Sequence, residues 1–154
     1  VPAALKGTVF PFKYNQYAEL ESLVEENPDI GTIIMEAARN EEPQNGFLGK
    51  VRELAAAKNI ILVFAESTSG FRQTFGGLHK LYGVEPDMAV FGKALGNGYA
   101  ISAVIGKKDI MKFANSASEI CSKLFPLALP KVYTPFSSPI AKPFSLIYTL
   151  RPKL

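Results

Sequence analysis

Met88-Ala-Val-Phe-Gly-Lys-Ala-Leu-Gly-Asn-Gly-Tyr99 opens with four apolar residues and ends in a turn punctuated by Gly92, Gly96 and Gly98. An apolar run of that length, bounded by turn residues, predicts a short buried strand from Met88 to Phe91. The strand delivers Lys93 directly to its carboxyl end. Lysine is rarely buried unless paired, because stripping water from an ammonium is costly. Held at the mouth of an apolar strand, its pKa would fall toward the neutral, nucleophilic amine that Schiff-base chemistry uses. A strand-end lysine that simply emerges into solvent is the commoner arrangement, and this stretch alone leaves both open.

The segments before it give the strand its neighbours. Thr8 to Phe12 reads as a short extended segment, and Leu20, Leu23 and Val24 fall at helical spacing among glutamates between Tyr17 and Glu26, ahead of Pro28. Ile30 to Met35 and Ile60 to Phe64 are short, β-branched apolar runs, predicted as strands buried on both faces. Between them Asn45 is a candidate N-cap for a helix with Phe47, Leu48, Val51, Leu54 and Ala55 on one stripe. A short helical turn holds Leu78, Leu81 and Tyr82. Strands alternating with helices imply an α/β fold, a partial and mostly parallel sheet flanked by helices. Ligands bind such sheets at the carboxyl ends of the strands, so the loops Ala65–Arg72 and Gly92–Gly98 are expected to face one crevice. Ile101 to Ile105 follows the second loop too closely for a crossover, so it is predicted as an antiparallel strand, with a helix starting at Lys108.

Residues 1–113 form the organised unit. In 114–154, six of the 11 prolines lie between Pro126 and Pro152, no glycine occurs, and no period is sustained. The expectation is an irregular, Pro-rich tail, unrelated or disordered, unable to supply a helix layer or a central strand. The chain begins at Val1, which reads as a piece of something longer.

Composition excludes several classes. Of 154 residues, 47% are hydrophobic and 20% charged, an ordinary globular balance, and the formal charge is +3. That excess sits in the tail, where five basic residues face only Glu119. They are scattered singly, so no nucleic-acid footprint is expected. One cysteine, Cys121, permits no internal disulfide and no cysteine-based metal site, consistent with a reducing, cytoplasmic setting. No signal peptide and no apolar run long enough for a membrane span is read.

Motifs are mostly eliminated. A P-loop would need a glycine at Asp87 and a Ser or Thr at Ala94; Gly96-Asn97-Gly98 lacks the third glycine of a dinucleotide fingerprint. Ser69 lacks the glycine two residues earlier that a nucleophile elbow requires. His79, the single histidine, is expected at the surface or capping a helix. Glu36, at the end of a strand, is a candidate catalytic carboxylate, though a solvated loop residue is the commoner state.

Met35-Glu36, Gly46-Phe47-Leu48, Ile61 to Phe64 before Glu66, Gly70-Phe71-Arg72, Gly76-Gly77, Pro86-Asp87 and Phe91-Gly92-Lys93 with Gly98 behind occur here in one order and spacing. Residues 1 to about 113 thereby resemble the central part of the large domain of class III aminotransferases, pyridoxal-phosphate enzymes that include glutamate-1-semialdehyde aminomutase. The resemblance implies that Lys93 is the Schiff-base lysine, which also moves a proton between substrate and cofactor. It implies that Ala65, Glu66 and Ser67 border the cofactor, that the substrates are a small amino donor and acceptor, and that the protein is a homodimer or otherwise self-associates. No metal is implied. The family carries an aspartate at Ala65, which keeps the pyridine nitrogen protonated, a branched apolar residue at Ser67, and a proline at Ala37. Two readings therefore stand: a fragment of an aminotransferase or aminomutase with weak or no activity, or a non-catalytic remnant or interaction module that has lost the cofactor.

Overall fold

The computed structural model describes residue 3, residues 6–112 and the backbone of 144–149. In chain order these contain β1 (Val9–Lys13), α1 (Tyr17–Glu26), β2 (Ile30–Met35), α2 (Phe47–Ala57), β3 (Ile61–Ala65), a 3-10 helix (Leu78–Tyr82), β4 (Met88–Phe91), β5 (Ala103–Gly106) and β6 (Phe144–Thr149). The predicted helix from Lys108 begins there and is described to 112. Residue 113 and the rest of the expected tail, 114–143 and 150–154, lie outside the described residues.

The described strands form one sheet in the order β1-β6-β2-β3-β4-β5. β2, β3 and β4 are parallel neighbours, while β6 runs antiparallel to both β1 and β2, so β1 shares the direction of the parallel set. The sheet is therefore mostly parallel, as predicted, with β5 and β6 reversed. The position of β6 corrects the expectation that the tail supplies no central strand. Phe144–Thr149 is free of proline, lying between Pro143 and Pro152, so every residue of it keeps the amide that a two-sided ladder needs. Pro11, by contrast, sits in β1, which is an edge strand in this order, where a missing amide is tolerated.

The helices form because each presents one apolar stripe. Leu20 and Val24 of α1, and Phe47, Leu48, Val51, Leu54 and Ala55 of α2, are buried in one cluster with Ile33, Met35, Leu62 and Phe64. The register pairs Ile33 with Leu62 and Met35 with Phe64, so these four lie on one sheet face. Thr32 and Ile34, on the opposite face of β2, are only half-buried. The prediction of burial on both faces thus fails for β2, because α1 and α2 both pack on one side. Asn45 does not cap α2: the cap residue is Gly46, and both Asn45 and Gly46 take positive φ in the turn that reverses the chain.

Asp87 ties three elements together just before β4. Its Oδ2 accepts hydrogen bonds from Arg52 on α2 and from the Leu62 amide of β3, both at 2.8 Å, and its Oδ1 accepts from Lys107 at 2.6 Å. Burial pushes its carboxyl up, but the Leu62 amide, Lys107 and Arg52 outweigh burial and hold it below the usual aspartate range. Its stabilising contribution is therefore present above the unfolded-state pKa and is lost as pH falls through the folded one. Asp87→Ala is expected to cost about 2–3 kcal/mol at pH 7, because the buried amide and the guanidinium lose their acceptor. Urea unfolding at descending pH should show that deficit shrinking below about pH 4, where the carboxylate begins to protonate in the unfolded chain.

Candidate functional site

The loops that leave the carboxyl ends of β2, β3 and β4 meet at one edge of the sheet. The loop after β2 is held by β1's exit: the buried Tyr14 hydroxyl donates to the Ala37 carbonyl, and Asn15 bonds the Glu42 carbonyl and the Gln44 amide. The loops after β3 and β4 touch as expected, since Ser67 Oγ stands 3.8 Å from where a Cβ on Gly92 would be. Next to that contact, Lys93 Nζ donates to Thr68 Oγ1 at 2.7 Å. Thr68 also lines a cleft of about 390 Å³ between the loop after β2 and the loop after β3, with Arg39 and Arg72 on its walls.

Lys93 itself is exposed, which corrects the reading of a desolvated amine. The Gly92–Gly98 turn carries it off the end of β4, and no layer of the described residues covers it. Its backbone has φ +46°, a left-handed conformation that costs a side-chain-bearing residue about 1 kcal/mol. Strain of this kind collects at functional sites.

Glu66 has the opposite environment. It is fully buried; its Oε1 accepts the His79 amide at 3.0 Å and the His79 Nδ1 at 2.9 Å, and its Oε2 accepts the Ser69 hydroxyl. A carboxylate only accepts, so the Nδ1 atom carries the ring proton. Burial pushes the carboxyl up, but the bonds from the His79 ring, Ser69 and the His79 and Leu78 amides prevail and hold it below the usual glutamate range. The resemblance places Glu66 beside the cofactor, and in the structure its oxygens have the internal partners Ser69 and His79. His79, expected at the surface, is 4% exposed, because Glu66 supplies the acceptor its ring needs and Phe64 lies 5.7 Å from it, centroid to centroid. Leu81, on the same helical turn as the buried Leu78, is 57% exposed. Gly77 makes the close approach possible, since a Cβ there would stand 2.2 Å from His79 Cε1.

Glu36 lies between these environments. Oε1 meets Arg39 at 3.4 Å, while Oε2 is buried with no hydrogen-bond partner among the described residues. Burial raises its pKa, against the pull of the Arg39 and Lys93 charges and with the push of Glu66. Those influences place Lys93, Glu66 and Glu36 within one electrostatic neighbourhood. It is thus not the freely solvated carboxylate expected of a loop. Ala65 ends β3 and is half-buried, and Ser67 is half-buried. Thr68 escaped the sequence reading, although the hydroxyl run Ser67-Thr68-Ser69 was an available signal; Ser69 and His79 were weighed there for other roles than as partners of Glu66. Among the described residues, no group of His, Cys, Asp and Glu is placed to hold a metal, and no helix is long and apolar enough to cross a membrane.

Comparison with known proteins bears on these residues. The family described as Aminotransferase class-III matches residues 12–122. The chain is 39% identical over 133 residues to a 3-aminobutyryl-CoA aminotransferase of Cloacimonas acidaminovorans, covering 82% of this chain and 32% of that protein. It is 37% identical over 125 residues to a glutamate-1-semialdehyde 2,1-aminomutase of Citrifermentans bemidjiense, covering 78% and 29%. The chain therefore spans about a third of the length of these relatives. Among solved structures, an omega-transaminase from Sphaerobacter thermophilus superposes with a TM-score of 0.60 at 29% identity, over 64% of this chain and 23% of that one. An N-acetylornithine aminotransferase from Stenotrophomonas maltophilia gives 0.60 at 25% identity, over 73% and 34%.

Proposed function

Because the chain belongs to the class-III aminotransferases, we propose that it is part of the large domain of a pyridoxal-phosphate-dependent, glutamate-1-semialdehyde-aminomutase-like enzyme, with Lys93 as the cofactor's attachment point. The observation that carries this reading is a lysine in strained left-handed backbone at the carboxyl end of a parallel strand, its amine held on a neighbouring loop. The substrates would be a small amino donor and acceptor. When bound, the cofactor supplies an aldehyde for the lysine and a ring that accepts electrons.

The residues fit that group at its aldehyde end. Lys93 offers a primary amine open to solvent, Thr68 limits where it points, and Gly92 leaves room beside Ser67. They do not fit at the ring nitrogen, because Ala65 has no carboxylate to hold a proton there. Glu36 presents a buried, unpartnered oxygen in the same neighbourhood, able to accept a proton or a hydrogen bond. Ala65 also favours the second reading, a family member whose scaffold outlasts its activity. Restoring Ala65→Asp alone is not expected to produce transamination.

The test is absorbance with added pyridoxal phosphate, followed by borohydride reduction and peptide mapping. Label concentrated on Lys93 is expected; label spread over surface lysines would leave only the scaffold reading. Self-association belongs to the same proposal. Ile101, Val104 and Ile105 are exposed on and beside β5, an edge of the described sheet. Sedimentation of this chain as a monomer across micromolar concentrations would remove that part.

A further inference from the structure

We infer that Thr68 is the positioning residue for the Lys93 amine, an inference that rests on the attachment role proposed above for Lys93. An exposed lysine has a flexible four-carbon stem, and its ammonium ordinarily samples a wide volume of solvent. Here one contact restricts it, the 2.7 Å hydrogen bond to Thr68 Oγ1. Both ends of that contact are fixed. Lys93 leaves a backbone held in an uncommon conformation, and Thr68 is a β-branched residue with few rotamers. Thr68 also stands two residues from Glu66, whose bonds to Ser69 and His79 pin the start of the loop, reinforced by the Gly70 amide donating to the Glu66 carbonyl at 2.8 Å. Gly70 lets the loop lie close, since a Cβ there would stand 2.6 Å from Phe91 Cδ1. The clamp built on Glu66 thus sets the position of the hydroxyl, and the hydroxyl sets the position of the amine.

The chemistry of the partner matters as much as its place. A carboxylate in contact with Lys93 would favour the ammonium and suppress the nucleophile. A hydroxyl both donates and accepts, so Thr68 can receive a hydrogen bond from the ammonium and give one to the free amine. It can therefore hold the lysine in either state.

The experiment compares Thr68→Val with Thr68→Ser in chain labelled with 15N-lysine. The first readout needs no cofactor: the order parameter of the Lys93 side-chain ammonium by NMR, with Lys58 as a surface reference. The second is the yield of borohydride-trapped pyridoxal phosphate on Lys93. Thr68→Val should lower the Lys93 ammonium order to that of Lys58 and cut trapping about fivefold, the scale of one partly exposed charge-assisted hydrogen bond. Thr68→Ser should retain both. The inference is overturned if Thr68→Val leaves either readout unchanged, or if Thr68→Ser fails alongside it, which would mean that the hydroxyl by itself does not hold the amine. Absence of trapping on Lys93 in the unsubstituted chain would count against the attachment role, while the ammonium readout would still decide whether Thr68 holds the amine. Matched melting temperatures for the variants exclude a folding effect.

Discussion

Lys93→Ala is expected to abolish reductive trapping of pyridoxal phosphate at this position while leaving the fold intact. The effect on labelling should be all or none, because the amine of Lys93 is hydrogen-bonded at the carboxyl edge of β2, β3 and β4, where the proposed attachment lies. The effect on stability should be small. Lys93 is exposed, and its one side-chain bond is to a half-exposed hydroxyl. A sharper version uses Lys93→Gly. At φ +46° glycine escapes the left-handed penalty, and that relief offsets the extra freedom it brings to the unfolded chain. Unfolding in urea should therefore show Lys93→Gly as stable as the parent, or more stable by up to about 1 kcal/mol. A residue that weakens its own fold slightly is what a functional constraint predicts. Loss of more than about 2 kcal/mol in either variant would contradict this account and assign Lys93 a structural role.

Glu66→Ala is expected to have the largest effect on stability, about 3–5 kcal/mol, since each buried donor left without its acceptor costs about 1–3 kcal/mol. The His79 amide, the His79 ring and the Ser69 hydroxyl would lose their acceptor inside a region where Glu66 is fully buried. Glu66→Gln should cost less, since the amide keeps the volume and one acceptor oxygen but turns a donor toward donors. That second variant keeps the prediction testable if the first does not fold. The pH dependence follows from the lowered pKa. The stabilisation is complete above the unfolded-state value and is lost as pH falls through the folded value, so the deficit of Glu66→Gln should be largest at neutral pH and shrink in acid. A deficit that grows in acid would show that Glu66 is not the ionised hub of the loop.

Much of the architecture could be read from the chain because it is written in local pattern. The spacing of Leu20 and Val24, and of Phe47, Val51, Leu54 and Ala55, has only one face to bury, and the apolar runs at Ile30 and Met88 are too short for anything but strands. The loops after β3 and β4 were placed on one edge by topology alone, and Lys93 was found there. Composition and pattern thus determined the α/β class, the directions of β2 to β5 and the sheet edge at which Lys93 stands.

Tertiary structure decided what no period encodes. Whether a sheet face is covered depends on which side the helices choose, so β2 has one buried face although its sequence reads as two. Phe144–Thr149 enters the sheet by pairing with β1 on one side and β2 on the other, both far away in the chain. His79 is buried because Glu66, thirteen residues earlier, offers it an acceptor. Lys93 is exposed, not desolvated, and the group that holds it is a threonine twenty-five residues away. Burial, pairing and pKa are properties of a neighbourhood, and a sequence fixes its neighbourhoods only by folding.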